Sequence, residues 1–296
     1  MARMRLGRTG LLAALAALMI VGAPLKAGAV DGNVVYYAQG DGAAAESSFP
    51  FQVLKLALAK CGKPYVLKPS PIGKANSQRT ADAMAADGPI DVQWIASSTS
   101  DDKKMLPVLF PLDMGLLGYR VFLIDGARQS DFSRIKTLDD LKVMTALQGT
   151  GWADVDVMRS AGLHVRTGPV YTNLFRMTVG GRADFFPRGA FEAYNEREKW
   201  ADKAPGLAVE DSLILHYPFA TVFYVKKTDG GLRDDLYRGL VKAFDDGSYR
   251  ALFLSNPDVQ TVLAKAHMNT RHVIEIDNPF ISPEMKAVDK RFWYKP

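Results

Sequence analysis

The stretch Asp184-Phe185-Phe186-Pro187-Arg188-Gly189 sets a permanent cation one proline beyond two aromatic residues that suit the end of a buried strand. A guanidinium in such a place needs an anion, because an unpaired charge away from water is costly. Two partners suit Arg188: a ligand in a cleft, or Glu192, four residues on and so one helical turn away. As a ligand contact, one charge-assisted hydrogen bond supplies about 1.5–3 kcal/mol. A micromolar complex needs about 8 kcal/mol, so other groups must share the work. Glu192 is a candidate in its own right.

Gly149-Thr150-Gly151-Trp152 leads from a strand into a helix. Free N–H groups at a helix start attract an anion, and the Thr150 hydroxyl can add a donor. A plain capping turn is the alternative. Asp154 stands where a dinucleotide fingerprint has its third glycine, which excludes that reading. Trp94 ends "IDVQW" just before Ser97, Ser98, Thr99 and Ser100, giving either an aromatic wall with hydroxyl donors or a core tryptophan beside a polar loop. Glu46 and Phe49 precede the first helix, and Arg120 and Tyr217 fall in two proline-interrupted β regions; all four are ligand candidates.

Catalytic signals are weak. His164, His216, His267 and His272 are scattered, with no pair at metal-ligand spacing on one helix face. The chain has no Gly-x-Ser-x-Gly elbow, phosphate loop or calcium loop. No catalytic residue, metal or cofactor is expected.

These residues need strand ends to hold them, and the chain alternates strand and helix throughout. Val34–Ala38 is a short β-prone run, and Val53, Leu54, Ala57 and Leu58 recur at helical spacing before Gly62. "VLFPLDMGLLGYRVFLI" (108–124) and "SLILHYPFATVFYVKK" (212–227) are β-rich with a proline inside. A proline inside, with Gly115 beside it in the first region, argues against one continuous core strand, so each fits two strands joined by an extended crossing. Together they enclose a complete α/β set, which makes one lobe inserted into another. The expected division is 30–114 with 217–296 as lobe one and 115–216 as lobe two. Ligands in such folds sit outside the strand ends, here in a cleft between lobes.

Residues 1–29 suit a cleavable secretory signal: Arg3, Arg5 and Arg8, an apolar run Leu11–Val21, then Ala27-Gly28-Ala29. Eleven apolar residues fall short of the ~20 that span a bilayer, so no stable membrane insertion is expected after its removal. The whole chain carries +5, from 37 basic and 32 acidic residues. Four of the basic residues lie in that segment, leaving +1, and no basic block suggests nucleic acid. The single cysteine, Cys61, excludes an internal disulfide, so packing must hold the fold.

Several landmarks in order resemble the amino-acid type (family three) of extracytoplasmic solute-binding proteins, whose fold is the two-lobed type 2 periplasmic-binding fold. They are "FPFQVLKLAL", "GPIDVQWIASSTSDDKK", "LQGTGWAD", "LFRMTVGGRADFF" and "YPFATVFYVKK" with "LRDDLYRGLVKAFDDGSY". The resemblance spans roughly 34–255. It implies two α/β lobes joined by two hinge strands, a small-molecule ligand, an inner-membrane permease of the ABC type, a periplasmic location, and a monomer that is not an enzyme. Where the family has an arginine for the ligand's carboxylate, three after a Ser/Thr, Ser100 is followed by Lys103. Where the family has an aspartate for the ammonium, the chain offers Arg188. That inversion points to an anionic or carboxylate-bearing ligand. A dehydratase-like enzyme on the same scaffold, or a sensor or accessory binding protein, is the alternative.

Overall fold

The computed structural model describes Met1, residues 33–39 and residues 45–295. The expected signal segment, 1–29, lies outside them apart from Met1. The chain divides into Met1–Asp31 and Gly32–Pro296, and every element below belongs to the second unit.

That unit opens with β1 (Asn33–Gln39) and α1 (Phe49–Lys60). The Ser48 side chain caps α1 by accepting from the Phe51 N–H, and Pro50 sits in the first turn, where its missing N–H costs nothing. Val53, Leu54, Ala57 and Leu58 are buried, as their spacing requires. Next come β2 (Tyr65–Lys74), α2 (Ser77–Ala85), β3 (Val92–Ala96), α3 (Thr99–Asp102) and β4 (Met105–Pro107). β2 carries Pro69 and Pro71 because it lies at the sheet edge.

Residues 108–118 cross to a second sheet that starts with β5 (Tyr119–Asp125). The expected strand at Val108 lies just earlier, as β4; from Val108 the chain is already crossing. α4 (Gln129–Phe132) and α5 (Leu138–Lys142) follow, the latter closed by a Thr137–Asp140 capping box. Then β6 (Thr145–Gly149), α6 (Asp154–Ser160), β7 (His164–Gly168) and α7 (Tyr171–Val179) alternate. β8 (Phe185–Gly189), α8 (Ala190–Trp200), β9 (Leu207–Val209) and β10 (Leu213–His216) complete this passage. Residues 217–220 return the chain to β11 (Thr221–Lys226), and α9 (Gly230–Asp245) packs along α1. The end holds α10 (Ser248–Ser255), α11 (Pro257–Lys265), β12 (His272–Glu275) and α12 (Pro283–Lys286).

Among the described residues the first sheet runs β2-β1-β3-β11-β4, with β11 antiparallel to both neighbours. The second runs β12-β10-β5-β8-β6-β7, and β9 also pairs with β5. The chain leaves the first sheet through residues 108–118 and returns to it through residues 217–220. The division differs at the C-terminal end, where 217–296 were expected to stay with lobe one. β12 instead pairs in parallel with β10, from Leu213↔His272 to His216↔Glu275. α11 packs on α8, and the chain then returns, burying Ile281 and Met285 beside Ala81, Met84 and Val222 of the first lobe. One buried cluster also joins Val35, Leu54 and Leu240 to Leu123, Leu147 and Phe186 across the two lobes.

Candidate functional site

The ends of β3, β6 and β8 face one another across a gap of about 370 Å³. β8 is buried along its whole length, so Arg188 belongs to the strand itself and is only 6% exposed. Its cation is compensated by the helix that follows. Arg188 Nε and Nη2 donate to the two carboxylate oxygens of Glu196 at 2.6 and 2.7 Å, and Nη2 lies 3.0 Å from Glu192 Oε1. The guanidinium also sits 4.9 Å from the Trp152 ring centre and 5.0 Å from that of Phe186. Burial opposes its charge, but the two glutamates outweigh burial and hold its pKa above the usual arginine range. Of the two partners the sequence offers for Arg188, Glu192 pairs with it, and the pair lines the gap. The stronger partner, Glu196, was missed. It lies eight residues on, beyond the i,i+4 spacing, and reaches Arg188 because the strand turns directly into α8.

A second arginine stands beside the first. Arg120, 2% exposed at the start of β5, donates from Nε to the Tyr217 hydroxyl at 2.9 Å. Its Nη2 lies 3.2 Å from Asp154 Oδ2 and its Nη1 4.0 Å from Glu192 Oε2. Asp154 also accepts from Gln148 Nε2 at 2.9 Å and from the Tyr217 hydroxyl at 3.4 Å. Burial again works against the Arg120 charge, and Tyr217, Asp154 and Glu192 offset it, so its pKa is raised. Two cations thus face three carboxylates, Asp154, Glu192 and Glu196, a formal net charge of −1; Glu196 stands behind the lining, where burial, opposed by Arg188, raises its pKa.

The opposite wall comes from the first lobe: Ser77 and Gln78 at the start of α2, Ile95 and Ala96 at the end of β3, and Asp101 in α3, with Leu117 and Phe219 from the crossings. A second cavity of about 530 Å³ adjoins this gap and shares Ile95, Leu117 and Glu192 with it. Phe49 and Trp94 line that second cavity.

Of the residues singled out from the sequence, Arg120, Trp152, Arg188 and Glu192 line the gap. Tyr217 lies fully buried behind it, holding Arg120 and Asp154. Gly149 is the seat of the Trp152 indole: a Cβ there would come within 2.2 Å of the ring. The anion-binding turn takes another form. The Thr150 N–H donates to the Gly168 carbonyl and the Trp152 N–H to that of Gly149, and Thr150 is not among the residues that line the gap. Ser98, Thr99, Ser100 and Lys103 do not line either cavity, because they build α3: Ser98 caps it, Thr99 and Ser100 form its first turn, and Lys103 closes it as an exposed C-cap. Glu46 also stays outside, accepting from the Tyr37 hydroxyl. Asp154, Asp101, Ser77 and Gln78 were missed. The only signal for Asp154 was an acid in the first turn of α6, and surface solvation explains such acids more often.

None of the four histidines lines either cavity, and His216 is held by Glu275 at 2.6 Å on the outer strands. Among the described residues no His, Cys, Asp and Glu group is arranged to hold a metal ion, and no helix is long and apolar enough to cross a membrane.

No protein-family model matches the chain, and no curated protein matches it. Solved structures do. A histidine kinase sensor domain with similarity to periplasmic binding proteins aligns at a TM-score of 0.55 and 13% identity, over 75% of this chain and 95% of its own. An ancestral amino acid-binding protein, a precursor of cyclohexadienyl dehydratase, aligns at 0.52 and 16% identity, over 75% and 94%. An ancestral arginine-binding protein bound to glutamine aligns at 0.51 and 16%, over 75% and 96%. The fold is the two-lobed α/β fold of periplasmic binding proteins.

Proposed function

We propose that this chain is an extracytoplasmic solute-binding protein that holds a small polar ligand between its lobes and passes it to an ABC-type importer in the inner membrane. One observation carries the reading: buried, paired charges from β5, α6, β8 and α8 converge on a gap whose far wall is polar and belongs to the other lobe. A ligand touching both walls favours the shut arrangement, which is how such proteins couple binding to a hinge. The preorganised pairs also lower the cost of binding, since the side chains need no reordering. The names of the fold neighbours, amino acid-binding and arginine-binding among them, support the same class.

An anion alone suits this wall less well than the sequence suggested. Each arginine already meets carboxylates, and the wall carries net negative charge before Asp101 is added. The reading is therefore a carboxylate-bearing ligand that also carries a basic group. A thermal-shift and tryptophan-fluorescence panel of monoanions, dicarboxylates, cations and zwitterions tests it. Saturable binding of a zwitterion, lost in Glu192→Gln, is the expected result; no response to any small metabolite sinks the proposal, and product formation replaces it with an enzyme. The sensor-domain neighbour favours a second reading, in which the same bound state is reported to a partner. Uptake of the ligand by cells lacking the protein, unchanged from cells that have it, would select that reading.

A further inference from the structure

We propose that the cavity adjoining the charged gap is a subsite for an organic cation, an alkylammonium or guanidinium group. This rests on the solute-binding reading and says what the basic part of the ligand meets. Three separate features of the cavity agree.

The first is its surface. Phe49, Trp94, Phe191 and Phe253 bring aromatic rings to a space of about 530 Å³, large enough for a small-molecule group. Phe49 and Phe253 meet edge to face at 6.0 Å, which fixes one corner. Aromatic faces attract cations within about 6 Å of the ring centre, by about 0.5–2 kcal/mol each.

The second is the sign of its charges. Asp113, Glu192 and Asp258 line the cavity, and no lysine, arginine or histidine does so among the described residues. Glu192 is shared with the two arginines of the neighbouring gap, but Asp113 and Asp258 have no basic partner in contact. Acidic residues alone would mean little; beside four aromatic rings they complete the environment an organic cation requires.

The third is the burial of Asp113. It is 6% exposed, yet its oxygens accept only from neutral donors, the backbone N–H of Gly115 at 2.9 Å and of Thr221 at 3.1 Å and the Thr221 hydroxyl. Gly115 lies in the first crossing and Thr221 opens β11 just after the second, so the carboxylate sits beside both passages between the lobes. A buried carboxylate without a matching cation is rare because its desolvation is not repaid. A ligand cation in the cavity supplies that match.

The test uses residues 30–296 with choline and its neutral carbon isostere, dimethylbutanol, followed by calorimetry and by tryptophan fluorescence compared with that of the Trp94→Leu variant. Choline is expected to bind at least about tenfold tighter than the isostere. Asp113→Asn should abolish that preference, and Trp94→Leu should weaken choline binding by about fivefold or more. Should Asp113→Asn fail to fold, Asp258→Asn is read in its place. Equal binding of choline and isostere, no saturable binding of choline, or a preference unchanged in the acidic-residue variant overturns the subsite. A zwitterion that binds through Glu192 with no such preference overturns the subsite alone, whereas silence across the wider panel overturns the solute-binding reading.

Discussion

Arg188 shows how one side chain can line a cleft and still be fully committed to the protein. Its forked pairing with Glu196 is buried on both sides, so truncation strands a carboxylate away from water. Breaking a buried pair costs about 3–5 kcal/mol. Arg188→Ala is expected to lose stability of that order in urea unfolding, with Glu196→Gln added to the background restoring part of it. Asp113 gives a pH signature. Burial lifts its pKa to about 6, outweighing the hydrogen bonds from Thr221 and Gly115. The folded value lies above the unfolded one, so its contribution is full below about pH 4 and fades as pH rises through 6. A shift of about two units corresponds to roughly 3 kcal/mol. Urea midpoints of the ligand-free protein should therefore fall across that window, and Asp113→Asn should flatten the fall. The arginine and its nearer glutamate were legible in the sequence because strand-then-helix spacing brings residues four apart together. Glu196, Asp154 and Asp113 were not, since their partners arrive through tertiary folding.

At the level of elements, close approach decides more than propensity. Within α9, Gly239 lies against α1, and a Cβ there would fall 1.9 Å from the Ala57 carbonyl oxygen. Alanine favours a helix interior over glycine by about 1 kcal/mol, but forcing two helices apart costs about 1–3 kcal/mol. Gly239→Ala is expected to destabilise the protein in thermal unfolding; a gain would show that α1 and α9 slide freely. Helices and long strands were readable because a stripe of Val53, Leu54, Ala57 and Leu58, or a run such as 119–125, carries its own period. β9 and β12 were not, being three and four residues long, and β12 buries only Ile274. Such strands exist because a neighbour offers an edge, not because their side chains demand it.

For the whole molecule, the two proline-interrupted regions announced the inserted lobe, while nothing in "RHVIEI" announced that the chain end would visit the second sheet. That excursion is pinned where it returns: the Asn278 amide donates to the Pro218 carbonyl at 2.8 Å, and its oxygen accepts from the Phe280 N–H at 2.9 Å. Removing it leaves two backbone groups unpaired, at about 1–3 kcal/mol each. Asn278→Ala should lower stability by that order and speed amide exchange around residues 217–220; unchanged exchange there would mean the tail does not brace the crossing. The same threading has a consequence for synthesis. The first sheet lacks its β11 rung until residue 226 exists, and the second lacks its outer rung until residue 275. A nascent chain cannot finish one lobe and then start the other, so neither sheet is complete before residue 226 and the second not before residue 275.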